Sequence, residues 1–117
     1  MRFLFLILFC LSAQALEPLL KSDVHVAGMR PELVPALLAA DRIYRANGAF
    51  MTVTSVSEGE HKEKSLHPEG LAFDLRTRNF TRVEVDRIAR AIRESLTIDY
   101  DVVVEKTHIH VEFQPKR

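Results

Sequence analysis

The chain has 117 residues, 47% of them hydrophobic, and its 16 Lys and Arg are balanced by 16 Asp and Glu to a formal net charge of zero. That length makes one small domain and no more. The charge balance removes the electrostatic reason to propose a nucleic-acid partner, which would show as a basic excess or stripe.

Met1-Arg2, the apolar run 3–11 and then Ser12-Ala13-Gln14-Ala15 have the layout of a secretory signal, with a positive start, a short apolar stretch and a small-residue cleavage site. Cleavage after Ala15 is expected, making 1–15 a signal peptide and 16–117 the domain. The apolar run is too short to span a bilayer, and Phe9 before Cys10 is too bulky for lipoprotein processing. The expectation is export to the periplasm or the extracellular space, with no stable membrane insertion after cleavage. Cys10, the sole cysteine, would leave with the signal. The mature domain would then have no disulfide and would depend on its core and any bound metal.

Residues 16–28 show no clear period. Pro31 then opens a helix where its missing N–H is harmless, Leu33, Val34, Leu37, Leu38, Ala40 and Tyr44 recur at helical spacing as a core stripe, and Asn47-Gly48 ends it. Residues 50–56 read as a strand, and 57–64 as a polar loop. From Gly70 the residues alternate, with Leu71, Phe73 and Leu75 on an apolar face and Ala72 and Asp74 on the other. Gly70 allows the bend that folds His67 back over the Asp74 face, where Ala72 is small enough to leave the approach open. A cation between His67 and Asp74 would be reached by both. By the same parity Arg76 shares the Asp74 face and is a candidate for pairing with a substrate carboxylate, or else a solvated strand-end arginine.

Thr81-Arg82-Val83-Glu84 is a capping box, and it starts a helix whose core positions are Val85, Ile88, Ala89, Ile92 and Leu96. Residues 102–105 and 108–113 read as a hairpin joined by Lys106-Thr107, which pairs Glu105 with His108 on one face. His108, His110 and Glu112 alternate with Ile109, Val111 and Phe113. Two ligands make no useful metal site, but His67, Asp74 and this late strand can converge on one polar face. The fold class expected is α+β, a small antiparallel sheet with two helices packed on one face.

The pattern S-x-H-x-x-G-x-A-x-D, filled by Ser65, His67, Gly70, Ala72 and Asp74 and followed by H-x-H at His108 and His110, resembles the zinc murein peptidases. These are the D-alanyl-D-alanine carboxypeptidases and L-alanyl-D-glutamate endopeptidases, whose fold is shared by the hedgehog signalling domain. The resemblance runs from about Val24 to Phe113. It implies a hedgehog/DD-peptidase-like fold, a Zn2+ cofactor and hydrolysis of peptidoglycan stem peptides, in bacterial wall remodelling or as a phage lysin. Nothing in the chain suggests an oligomer, and a monomer is expected.

The resemblance implies His67, Asp74 and one late histidine as metal ligands. Two family patterns compete for the third. An acid three residues before a histidine would make His108 the ligand, with Glu105 as base; the second histidine of H-x-H would make it His110, followed two positions later by an acid, here Glu112. His110 is the expectation, with Glu105 and His108 as the catalytic pair and Ser65 orienting a ligand or the substrate. Family members carry an arginine soon after the strand that corresponds to 50–56, and residues 55–61 contain none. His61 is a candidate replacement at the rim, although an exposed loop histidine is the plainer reading. The alternative function is a non-catalytic zinc domain that binds murein or a protein. Which murein bond is cut depends on pocket shape.

Overall fold

A computed structural model of the chain describes residues 19–21, 24, 28–56, 66–67 and 69–116. The expected signal segment 1–15, His61 and Ser65 lie outside the described residues.

The first described element is a short strand, β1 (Leu19–Leu20), followed by a 3-10 turn at Pro31–Leu33 that runs into α1 (Val34–Ala46). Strands β2 (Thr52–Ser55) and β3 (Ala72–Arg76), helix α2 (Arg82–Glu94) and the hairpin β4 (Tyr100–Val104) and β5 (His108–Phe113) complete the order. The class is α+β. The sheet order is β1-β2-β3-β5-β4. Four strands are antiparallel as expected, and β1 adds a parallel edge beside β2, which makes the sheet mixed. A two-residue strand without alternation leaves no periodic trace, so 16–28 could not announce it. Because β3 and β4 are both antiparallel to β5, they run parallel to each other and are joined by the α2 crossover. The last strand inserts into the gap between them, next to β3.

Local chemistry sets the helix ends. Thr81 Oγ1 accepts from Glu84 N at 3.2 Å, and Glu84 Oε1 accepts from Thr81 N at 2.9 Å, so the capping box forms in full. Helix α1 stops at Asn47, and Gly48 follows with φ +79°. Both helices pack on one sheet face, where Leu33, Ala36, Ala40 and Tyr44 of the α1 region and Val85, Ile88, Ala89 and Ile92 of α2 meet Val53, Phe73, Leu75, Val102, Ile109 and Val111. The α1 stripe differs from the expected one, because Val34 and Leu38 are exposed and Ala36 and Ala39 are buried in their place. Short alanines let α1 approach closely, and Val34 and Leu38 fall outside the contact. Among the described residues, no helix is long and apolar enough to cross a membrane.

Candidate metal centre

The period-2 alternation of β3 and β5 puts their polar residues on the sheet face opposite the helices. In the β3–β5 ladder Asp74 stands opposite His110, Arg76 opposite His108 and Ala72 opposite Glu112. These three rows of side chains make the face. Ala72, however, is fully buried, and it does not leave the open approach expected of a small residue beside Asp74.

His67 reaches the face from a tight turn. Gly70 N donates to His67 O at 2.9 Å, and Gly70 has φ +72°, a conformation that L side chains rarely adopt. A Cβ on Gly70 would lie 1.8 Å from Gly28 O, and Arg30 N donates to Gly70 O at 2.9 Å, so the segment before α1 braces the turn from behind. His67 is buried, and its Nδ1 is hydrogen-bonded to Val56 O. A carbonyl only accepts, so Nδ1 carries the proton and the Nε2 lone pair is turned toward β3 and β5. Val56 lies just beyond a shift in the β2–β3 register between Val53 and Ser55. No sequence signal marks this carbonyl, because every residue has one.

Three donor atoms converge. His67 Nε2 lies 3.0 Å from Asp74 Oδ1 and 3.1 Å from His110 Nδ1, and His110 Nδ1 lies 2.9 Å from Asp74 Oδ1. Two imidazole lone pairs and a carboxylate oxygen this close repel one another unless a cation or proton is shared among them. Two nitrogens and one oxygen, with a protein-held tautomer behind one imidazole, fit a metal ion, and His67, Asp74 and His110 could hold one. The other nitrogen of His110, Nε2, has Glu112 Oε1 at 3.8 Å, an ion-pair distance too long for a hydrogen bond.

Electrostatics agree with an anionic site. Without a metal, burial pushes the Asp74 carboxyl up, but the hydrogen bonds that His110 and His67 give when protonated and the charges that His67 and His108 then carry outweigh it and hold the group well below the usual carboxylate range. Burial pushes His110 down, yet the hydrogen bond to Asp74 and the charges of Asp74, Glu112 and Glu105 leave it raised.

His108 stands outside the triad, with its Nε2 3.6 Å from the other Asp74 oxygen, Oδ2. Its Nδ1 lies 3.2 Å from Thr107 Oγ1, a contact the hairpin reading did not foresee. Glu105 N donates to His108 O at 2.9 Å, which continues the β4–β5 ladder and puts Glu105 and His108 in one row. The sequence-derived residues His67, Asp74, Glu105, His108, His110 and Arg76 are thus brought to one face. Neither any family model nor any curated protein matches the chain, so its function is read from this geometry.

Proposed function

We propose that the chain is an exported zinc peptidase that hydrolyses peptide bonds in peptidoglycan stem peptides, of the murein-peptidase kind that its motifs resemble. The observation that carries the reading is the convergence of His67, Asp74 and His110 within 3.1 Å of one another, with His108 and Glu105 in the adjoining row. In a site of two imidazoles and one carboxylate, the chemistry that zinc supplies is acidification of water and polarisation of a scissile carbonyl.

The remaining roles belong to the chain itself. Glu105 is the proton acceptor, a carboxylate beside the ligand row. Thr107 Oγ1–H can donate to His108 Nδ1, which leaves Nε2 as the protonated nitrogen, facing the site. That N–H is the donor to the oxygen that gains negative charge as the bond breaks. His67, held from behind by Val56 O, keeps its ring plane fixed.

The test is mass spectrometry of purified muropeptides incubated with the protein and zinc. Chelator-sensitive release of a fragment with a new amino terminus is expected, and its mass names the bond. Glu105→Gln and His108→Ala should keep zinc and lose turnover by roughly 10²-fold or more. Zinc lost from His108→Ala but kept in His110→Ala would reverse the roles of the two histidines. The second reading, a non-catalytic zinc domain that binds murein or a protein, is favoured by the lack of an arginine in residues 55–61. Binding to murein without any new amino terminus would establish it.

A further inference from the structure

Between the loop that leads from β3 into α2 and the turn of the β4–β5 hairpin lies a hollow of about 320 Å³, large enough for a small ligand. Thr77, Arg78 and Arg82 line it from the loop side, and Glu105, Lys106 and Thr107 from the hairpin. Phe80 and the buried Val85 give it an apolar part.

Three of these side chains are cations, and they come from two separate segments. Among the described residues neither the Arg78 nor the Lys106 side chain has a partner. Arg82 Nε has Asp86 Oδ1 at 3.4 Å, but the two side chains are 67% and 55% exposed, so water screens the pair. Glu105 is the one acid among the described residues that line the hollow. A concave surface lined mainly by one sign of charge concentrates the opposite ion. Thr77 is a second, independent observation. It is only 8% exposed, and among the described residues its hydroxyl has no hydrogen-bond partner, although a buried polar group ordinarily has one. Its carbonyl is occupied, accepting from Phe80 N at 3.0 Å, so the hydroxyl is left to the hollow that it lines.

We infer that this hollow binds a phosphomonoester, with the phosphate among Arg78, Arg82, Lys106 and the Thr77 hydroxyl and the carbon body toward Phe80 and Val85. Three cations against Glu105 leave two positive charges, and a phosphomonoester brings about −1.5 to −2 near neutral pH. Its three terminal oxygens accept from several directions at once, as donors on two segments require, whereas a carboxylate accepts in one plane. The hollow borders the row of Glu105 and His108 but contains none of the metal ligands, and the inference holds whether or not the chain is a peptidase.

The experiment titrates the zinc-loaded chain with glycerol 3-phosphate, with dimethyl phosphate as a singly charged diester, and with acetate, read by calorimetry and by backbone amide shifts. Glycerol 3-phosphate should bind at least about 10-fold more tightly than the other two, the scale of one charge-assisted hydrogen bond. It should move the amides of Thr77, Arg78 and Lys106 more than those of His67 and His110. The double variant Arg78→Gln, Lys106→Gln changes two exposed positions, so it should keep zinc content and melting temperature while losing that preference. Thr77→Val should weaken binding about 3- to 10-fold. Sedimentation with phosphatidic-acid vesicles identifies the source of the group: vesicle binding that the double variant loses upholds the site with a lipid headgroup as its ligand, and free glycerol 3-phosphate bound without vesicle binding upholds it with a soluble one. Equal affinity for the diester or acetate, shifts centred on the metal ligands, wild-type binding by the double variant, or no binding of either phosphomonoester overturns the inference.

Discussion

On one face of the β3–β5 pair, Phe73, Leu75, Ile109 and Val111 are completely buried under the two helices; on the other, Asp74, His108, His110 and Glu112 are half-buried. The residues alternate along the same two strands, so one backbone serves both faces. The apolar face is held by many non-directional contacts that exclude water. The polar face is held by a few directional ones, and its donor atoms lie so close that a cation or a proton must be shared among them. The core therefore supplies a rigid frame whose stability does not depend on the site, while the site depends on the frame for its spacing.

The largest effect should come from breaking the core face. Phe73→Ala removes a fully buried ring and should destabilise the domain by about 3–5 kcal/mol, equally with zinc or with chelator, in chemical denaturation. Changes on the polar face should behave differently. Asp74→Ala and His110→Ala should abolish the zinc-dependent part of stability, about 2.7 kcal/mol when free metal is 100-fold above Kd, while leaving a folded metal-free domain. Stoichiometric zinc retained after dialysis of Asp74→Ala would refute the ligand assignment.

Gly70→Ala tests the joint between the faces. The positive φ and the close approach to Gly28 O should together destabilise by about 2 kcal/mol or more and, by shifting His67, weaken zinc binding as well. Metal titration alongside a melt measures both, and undiminished zinc affinity would show that the turn does not set the position of His67.

The smallest effect concerns pH in the metal-free protein. His110 is raised in the folded state, so its contribution is full below the unfolded value of about 6.5 and is lost as pH rises through the folded value. Asp74 is depressed, so its contribution is present above about 3.9 and is lost as pH falls toward its folded value. Melting temperature in chelator should therefore decline gently from pH 6 to 8. With zinc the decline should vanish or reverse, because the metal needs unprotonated histidine. A flat chelator curve would contradict the His110 and Asp74 pairing.

Much of this was legible in the residues because it depends on local periods. Alternation alone separates Asp74 from Phe73 and His110 from Ile109. The Thr81 capping box, the Asn47-Gly48 stop and the Glu105 and His108 pairing across Lys106-Thr107 are likewise written within a few residues. Other features come only from the packed chain. The period cannot say which histidine joins Asp74, since His108 and His110 share a face; the β3–β5 register decides, setting His110 opposite Asp74 and His108 opposite Arg76 across more than thirty intervening residues. The partner of His67 Nδ1 is a backbone carbonyl, the burial of Ala72 and the exposure of Val34 and Leu38 follow from how layers meet, and β1 exists because β2 offers an edge. Side-chain parity is fixed by the geometry of one strand, whereas register and burial are properties of two or more elements in contact.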